Sequence, residues 1–149
     1  MIVNHKPDAV YLKERDILLF RNLATISSIF KGIDILYKEA TEEEVKSFLS
    51  ESFIVLSNDY DVEKVSKPNR KRIALAMDTL AAMPVEDRGE MLNYINDYCA
   101  EKLKYDTAEC KFELSSEEEL KYLLYGIEQR FYTTRFGNEK RLANSILRM

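Results

Sequence analysis

Four basic residues fall within six positions in the run Lys67-Pro68-Asn69-Arg70-Lys71-Arg72. Pro68 suits the first turn of a helix, so the cations stand at a predicted helix amino terminus, where each opposes the helix dipole by about 0.3–1 kcal/mol. A phosphate would offset this cost, because it would meet both free backbone N–H groups and basic side chains. The alternative is an internal ion-pair cluster with the carboxylates of residues 59–63. The run is therefore a candidate anion site with a structural alternative.

The carboxyl-terminal stretch from Gln129 to Met149 is a second concentration of positive charge. Phe131, Tyr132 and Phe136 interleave with its cations, a combination that holds single-stranded nucleic acid through phosphate contacts and base stacking. The alternative is that these rings close a core, since Phe131 falls on the apolar stripe of a predicted helix. Convergence of the two basic stretches on one face would favour nucleic acid, because several phosphates would be neutralised together. The cations of this stretch are Arg130, Arg135, Lys140, Arg141 and Arg148, against Glu139 alone.

Residue types suited to catalysis are scarce. His5 is the only histidine and lies in a terminus expected to fray, which argues against hydrolytic triads and multi-histidine metal sites. The four glycines form no phosphate-binding loop. Asp106 followed by Glu109-Cys110-Lys111 has the residue types of a metal-dependent nuclease, but Glu-x-Lys occurs three times, close to the number expected by chance. We predict no catalytic residue, no metal ligand and no cofactor, and we keep a metal-dependent nuclease as a second alternative.

Tyrosines are concentrated in the second half of the chain, and an amphipathic ring suits either a core margin or a binding surface. The block from Glu86 to Glu119 also carries eleven carboxylates, which would repel nucleic acid and favour a basic partner. A non-enzymatic protein-interaction module, with a protein partner or a second copy of the chain, is therefore the first alternative. The tyrosines concerned are Tyr94, Tyr98, Tyr105, Tyr122, Tyr125 and Tyr132.

The secondary-structure elements that position these residues can be predicted from the spacing of apolar residues and from the residues that begin and end helices and strands. Alternating apolar residues on both sides of the charged tip 13–16 predict a β-hairpin over residues 9–21, followed by a helix over 22–32 and a short strand over 33–37. Thr41 and Glu44 form a capping-box pattern at the start of the next helix, and residues 52–56 are β-prone. Helical spacing then predicts helices over 68–83, 85–103 and, from a cap at Ser115 or Ser116, up to Phe131, with a strand over 111–114.

Composition sets the class of the protein. With 149 residues, 46% of them hydrophobic, the chain is expected to form a single compact domain over residues 1–149. The predicted fold is α+β and mainly helical, with an N-terminal β-hairpin, about five helices and one or two short extra strands. A net charge of −4 excludes a uniformly basic surface.

The compartment is predicted from what the sequence lacks. It has no apolar run of the roughly 18–20 residues that a membrane helix needs, and no signal-peptide segment at its amino terminus. Cys99 and Cys110 show no Cys-x-x-Cys spacing and are expected to be reduced thiols. We therefore expect a cytoplasmic protein without direct membrane insertion.

Three segments resemble a known family: Ile17-Leu18-Leu19-Phe20 with Ile29-Phe30, the helix start Asn69-Arg70-Lys71-Arg72, and Gly137-Asn138-Glu139-Lys140-Arg141-Leu142-Ala143-Asn144-Ser145. Together they resemble the uncharacterised domain of KwaB, the cytosolic component of the Kiwa anti-phage defence system, and this chain is similar to only the later part of that family. The resemblance implies a DNA-binding defence protein that works beside a membrane-embedded partner. It carries over no catalytic residue.

The first interpretation of the sequence is therefore a DNA-binding protein that contacts phosphates through its two basic stretches. The choice of contact residues comes from charge placement and not from the family. We predict that they are Lys67, Arg70, Lys71, Arg72, Arg130, Tyr132, Arg135, Lys140 and Arg141.

Overall fold

The computed structural model describes residues 9–15, 17–21 and 38–144. Internal contacts divide the chain into two units, residues 1–38 and residues 39–149. The predicted helix over 22–32 and strand over 33–37 lie outside the described residues. The assignment of residues 1–149 to a single domain stays a prediction.

The predicted amino-terminal hairpin is confirmed. Strand β1 (Ala9–Leu12) pairs antiparallel with β2 (Ile17–Phe20), with Ala9 opposite Phe20 and Leu12 opposite Ile17. The backbone N–H of Arg15 donates to the carbonyl of Leu12 at 3.1 Å and begins the turn. The charged residues of the tip therefore connect two short apolar strands, as the alternation indicates.

The second unit is built from four α-helices and five short strands among its described residues. Two 3-10 turns, Val62–Lys64 and Val85–Asp87, precede the second and third helices. The α+β class is confirmed, but the expectation of one or two extra strands is too low. In chain order the elements are α1 (Glu42–Leu49), β3 (Ile54–Leu56), α2 (Lys67–Ala82), α3 (Arg88–Cys99), β4 (Lys104–Asp106), β5 (Lys111–Leu114), α4 (Glu117–Ile127), β6 (Phe131–Thr133) and β7 (Lys140–Leu142).

Two helix starts follow their capping residues. The Thr41 hydroxyl accepts the backbone N–H of Glu44 at 3.2 Å, and the Glu44 carboxylate accepts the N–H of Thr41 at 2.8 Å, so α1 begins with both bonds of a capping box. Ser116 caps α4 by accepting the N–H of Glu119 at 3.3 Å. In both helices glutamates fill the first turn, where the dipole favours negative charge.

A three-stranded mixed sheet has β5 at its centre. Strand β3 pairs with β5 in parallel, and β4 pairs with it antiparallel. Phe112 and Leu114 of β5 are fully buried and point toward the core, whereas Lys111 and Glu113 alternate onto the opposite face. One face of the sheet therefore contributes to the hydrophobic core, and the other face does not.

Helix α4 is the centre of the helical layer, since it packs against both α2 and α3. Its apolar stripe of Leu120, Leu123, Leu124 and Ile127 is fully buried. Gly126 belongs to the same helix and faces Ile95 of α3, so closely that a Cβ at Gly126 would lie 2.4 Å from Ile95 Cγ1. A glycine is needed here because the Ile95 side chain occupies the space that a Cβ would take.

The last helix is shorter than the sequence predicts. It ends at Ile127, and Phe131, predicted on its apolar stripe, instead begins β6. Gln129 has a left-handed backbone (φ 54°), its N–H donates to the Gly126 carbonyl, and the N–H of Arg130 donates to the Tyr125 carbonyl. This pair of bonds is a Schellman motif, which turns the chain sharply at the helix end. The following Phe131-Tyr132-Thr133 is strongly β-prone and pairs with β7.

Candidate nucleic-acid interface

The first basic run is distributed among several local partners. Arg70 donates from Nε to the Val65 carbonyl at 3.1 Å and from Nη2 to the Val62 carbonyl at 3.2 Å, so it caps the 3-10 turn before α2. Lys67 Nζ lies 3.8 Å from the Glu39 carboxylate. Asp61, predicted as an alternative ion partner, accepts the backbone N–H groups of Glu63 and Lys64. Lys67 and Arg70 therefore do not form one anion site.

A carboxylate does lie near the amino end of α2, and it comes from α4. Asn69 is buried and donates from Nδ2 to Glu117 Oε2 at 2.9 Å and to the Glu117 carbonyl at 3.0 Å. The Tyr60 hydroxyl donates to the other oxygen of Glu117 at 2.5 Å. Burial raises the pKa of Tyr60, and the bond to the Glu117 carboxylate raises it further. Glu117 is therefore an internal anion that the sequence pattern did not reveal.

Arg72 and Arg130 meet at one aromatic ring. Arg72 donates to Asn69 Oδ1 at 3.1 Å and to the Tyr125 hydroxyl at 3.3 Å, and its Cζ lies 5.1 Å from the centroid of the Tyr125 ring. Arg130 Cζ lies 4.9 Å from the same centroid, and Lys121 Nζ lies 5.8 Å from it. All three distances fit cation–π contacts. We call Arg72, Lys121, Arg130 and Tyr125 the basic junction, and it joins the two basic stretches of the sequence.

One carboxylate partly neutralises the basic junction. Arg130 Nε lies 2.5 Å from Glu128 Oε2, and only 18% of the Arg130 side chain is exposed. The other oxygen of Glu128 is buried and has no hydrogen-bond partner among the residues that the structure describes. Lys121 Nζ makes no hydrogen bond or ion pair within the same residues. Glu128 is the carboxylate that directly pairs with the junction, and Glu117 lies one residue further away, bonded to the Asn69 that Arg72 contacts. Even with both carboxylates counted, the three cations leave the junction with a net positive charge.

Arg148 lies outside the described residues, and the other cations of the second basic stretch that are not in the basic junction lie on the hairpin β6–β7, which contacts α3 through Tyr94 and Tyr98. The Tyr94 hydroxyl donates to the Phe131 carbonyl at 2.7 Å and accepts the Phe131 N–H at 2.8 Å. Burial raises the pKa of Tyr94 to about 12. The ring of Tyr98 stacks on Phe131 with centroids 5.7 Å apart, and Lys140 Nζ lies 5.4 Å from the Tyr98 ring. The role of Phe131 is therefore to attach the hairpin to the core.

The outer side of the hairpin is exposed. Tyr132 stands opposite Arg141 and is 44% exposed. Arg141 Nη2 lies 2.6 Å from Glu139, and this bond raises the pKa of Arg141. Lys140 Nζ donates to the Asp97 carbonyl. Arg135, between the strands, is exposed and has no hydrogen bond or ion pair with any described residue.

The structure thus places the nine predicted contact residues in three groups. Lys67 and Arg70 are engaged locally, and Lys71 is exposed on α2 without a partner among the described residues. Arg72 and Arg130 share the basic junction. The hairpin carries the other four, Tyr132, Arg135, Lys140 and Arg141.

Lys121 was not predicted to belong to the site, and Tyr125 was predicted only as a tyrosine of a core margin or a protein-binding surface. Lys121 and Tyr125 are four positions apart on α4, a spacing at which helix side chains contact each other. The spacing of four residues could therefore have indicated the contact between Lys121 and Tyr125. Nothing in the sequence indicates that Arg72 of α2 reaches the same ring, because this contact depends on how α2 packs against α4.

The nuclease residues also come together, on the hairpin between β4 and β5, but each has another role. Asp106 Oδ1 accepts the backbone N–H groups of Ala108 and Glu109, and Glu109 lies 3.0 Å from Lys111 Nζ. They line an open concavity of about 700 Å³ on the outer face of the sheet. Within the described ranges, no three His, Cys, Asp or Glu side chains are close enough to ligate a metal ion. The geometry gives the nuclease alternative no ligand set.

Most of the tyrosines of the second half lie at core margins. Tyr94 and Tyr98 pack on Phe131, Tyr105 packs on Phe112 with centroids 4.5 Å apart, and Tyr125 is buried. Tyr132 alone among the six named tyrosines is exposed. A protein-binding surface made of these tyrosines would therefore have little accessible ring area.

No family model, no curated protein and no solved structure matches the chain. The resemblance to the KwaB domain stays a prediction. In residues 9–15, 17–21 and 38–144, no helix has both the length and the apolar character needed to cross a bilayer.

Proposed function

We propose that this protein binds DNA through the basic junction and the adjoining hairpin β6–β7. The observation that carries the proposal is the meeting of Arg72 and Arg130, from two stretches distant in sequence, at the Tyr125 ring. Each guanidinium carbon lies within about 5 Å of one centroid, so the two are within about 10 Å of each other. Cations this close neutralise neighbouring phosphates of one strand together, which is the main source of affinity for nucleic acid.

The charge of the hairpin continues that of the basic junction. Arg130 directly precedes β6, and its carbonyl accepts the N–H of Ala143 just after β7, so the junction lies at the base of the hairpin. Along the hairpin, three cations face Glu139 alone. Phosphate groups can therefore be held at the base of the hairpin and along it, while the acidic residues of α4 remain in its first turn.

Fluorescence anisotropy with labelled DNA, measured across a series of salt concentrations, tests the proposal. Affinity should fall steeply with salt, and each phosphate contact that is removed should lower the slope of log K against log salt by about 0.7–0.9. The double variant Lys121→Ala, Arg135→Ala removes two cations that make no ion pair with described residues, and it should lower the slope by about 1.5.

A matched control keeps the net charge equal. The double variant Lys46→Ala, Lys104→Ala removes two exposed cations of α1 and β4, neither of which belongs to the basic junction or the hairpin, and should bind DNA as the wild type does. Of the two, Lys104 also pairs with Glu113 at 3.6 Å. Absence of binding at about 50 mM salt would contradict the proposal, and so would an equal loss of affinity in the two double variants.

We also propose, on the resemblance to the KwaB domain alone, that DNA binding serves anti-phage defence beside a membrane-embedded partner. Of the resembling segments, Asn69-Arg70-Lys71-Arg72 contains Arg72 of the basic junction, and the segment that begins at Gly137 contains strand β7 of the hairpin. Plaque counts on cells that express the chain together with a candidate membrane partner test this role. Plaques should be fewer with the wild type than with the Lys121→Ala, Arg135→Ala variant, and equal counts would contradict it.

A further inference from the structure

Phe136 is the most exposed large apolar side chain among the described residues, at 88%. It lies at the tip of the hairpin, between β6 and β7, and takes no part in the core. Scattered exposed apolar residues are common on proteins, so exposure alone indicates no function. The hydrogen bonds of the hairpin tip and the charges around it are the observations that indicate a role for the Phe136 side chain.

Hydrogen bonds fix the shape of the tip. Thr134 donates from its N–H to the Glu139 carbonyl at 2.9 Å, and its hydroxyl donates to the Phe136 carbonyl at 2.9 Å. The same hydroxyl accepts the N–H of Glu139 at 3.0 Å. Gly137 has φ 93°, a conformation that favours glycine, and lets the chain reverse directly after Phe136. The phenyl ring is therefore held out by a defined turn.

The positive charge next to Phe136 favours an anionic partner. Arg135 is its neighbour, is exposed and has no partner among the described residues, whereas Glu139, the acidic residue of the hairpin, is paired with Arg141 at 2.6 Å. An accessible ring beside an unneutralised guanidinium matches a nucleotide with a free base face and a phosphate. Bases within a duplex have both faces covered by their neighbours, so only unpaired bases can stack on the ring.

We propose that Phe136 stacks on an unpaired base while Arg135 contacts the adjacent phosphate, so that the preferred ligand is single-stranded nucleic acid. This inference rests on the proposed DNA binding and names its substrate class. Because stacking is worth about 1–3 kcal/mol per base, Phe136→Ala should weaken binding to an oligothymidylate of about 20 nucleotides by about fivefold to 150-fold. Binding to a duplex of the same length should change less than twofold.

Two variants separate stacking from simple apolar contact. Phe136→Leu keeps an apolar side chain but removes the aromatic face, so it should lose most of the affinity that Phe136→Ala loses. Val85→Ala is the control, since Val85 is 76% exposed on a different element and should not affect binding. Wild-type affinity in Phe136→Leu would overturn stacking, because an apolar contact with any partner would tolerate leucine.

The sequence contains no tryptophan, so a single tryptophan can report stacking directly. Fluorescence of Phe136→Trp should be quenched by oligothymidylate, and fluorescence of Val85→Trp should not. If the wild type binds neither single strands nor duplex, the proposed function itself fails. If it binds both equally and Phe136→Ala has no effect, DNA binding stands and the stacking inference is overturned.

Discussion

The contact between Gly126 and Ile95 gives the sharpest stability prediction. At Gly126, an added Cβ would lie 2.4 Å from Ile95 Cγ1, 3.0 Å from its Cδ1 and 3.2 Å from its Cβ. Ile95 is fully buried and branched at Cβ, so it has no free space or alternative rotamer into which to move. Gly126→Ala should therefore force α3 and α4 apart.

The size of the effect follows from two opposing terms. Alanine is favoured over glycine inside a helix by about 1 kcal/mol. Overpacking a close-packed core costs about 1–3 kcal/mol, and a 2.4 Å approach belongs at the upper end of that range. We expect Gly126→Ala to lower the free energy of unfolding by about 2 kcal/mol, which corresponds to a fall in Tm of about 4–8 °C for a domain of this size.

Urea unfolding followed by circular dichroism measures this difference, and Gly89 supplies the control. Gly89 is also helical, in α3, but a Cβ there would meet nothing within 4 Å. Gly89→Ala should therefore raise the free energy of unfolding by up to about 0.5 kcal/mol, less than the full helix-interior difference, because Gly89 lies in the first turn of α3. In an Ile95→Ala background, Gly126→Ala should lose most of its cost. A Gly126→Ala protein as stable as the wild type would refute this account of the helix contact.

Two other contacts give further predictions. Asn69→Asp replaces the donor that faces Glu117 by a second carboxylate, so it should cost about 2–3 kcal/mol at pH 7 and less at about pH 4, as urea unfolding at the two pH values can show. Tyr94→Phe removes both hydrogen bonds to Phe131 and should cost about 1–2 kcal/mol, with faster amide exchange in β6 and β7. The pKa of Tyr94 is about 12 in the folded protein and 10 for the free side chain, so its contribution to stability is complete below pH 10 and decreases as the pH rises toward 12. Tyr94→Phe should reduce this alkaline loss, and an unchanged pH profile would contradict it.

The sequence predicted correctly those helices whose ends are determined by capping residues or prolines at or near the ends themselves. The capping box at Thr41 and the Ser116 cap require only residues three positions away, and both helices begin where those residues indicate. The helix over 68–83 is confirmed for the same reason, since Pro68 and Pro84 mark its limits in the sequence. The hairpin β6–β7 was missed because its three-residue strands are too short to show alternation and are held by Tyr94 of another element.

The residue types of the candidate site could be predicted from the sequence, but the contacts that each residue makes could not. The sequence indicates that cations concentrate in two stretches, and Arg72 and Arg130 do meet. It gives no means of knowing that Arg70 turns back to the carbonyls of a 3-10 turn, or that Glu117 supplies the negative charge at α2. These outcomes depend on tertiary packing between residues as far as 57 positions apart.

The order of strands in the mixed sheet has a consequence for synthesis on the ribosome. Strand β3 emerges early, yet its neighbour β5 follows two helices and β4 along the chain. The buried side of β3 therefore stays unpaired until β5 has left the exit tunnel, and the faces of α2 and α3 that pack on α4 stay uncovered until residue 127 has left it. Strands β4 and β5 can close their hairpin as soon as both have emerged. Force-release measurements on stalled chains should show a single large folding event only after α4 has emerged, and this interval is when the nascent protein most needs a chaperone.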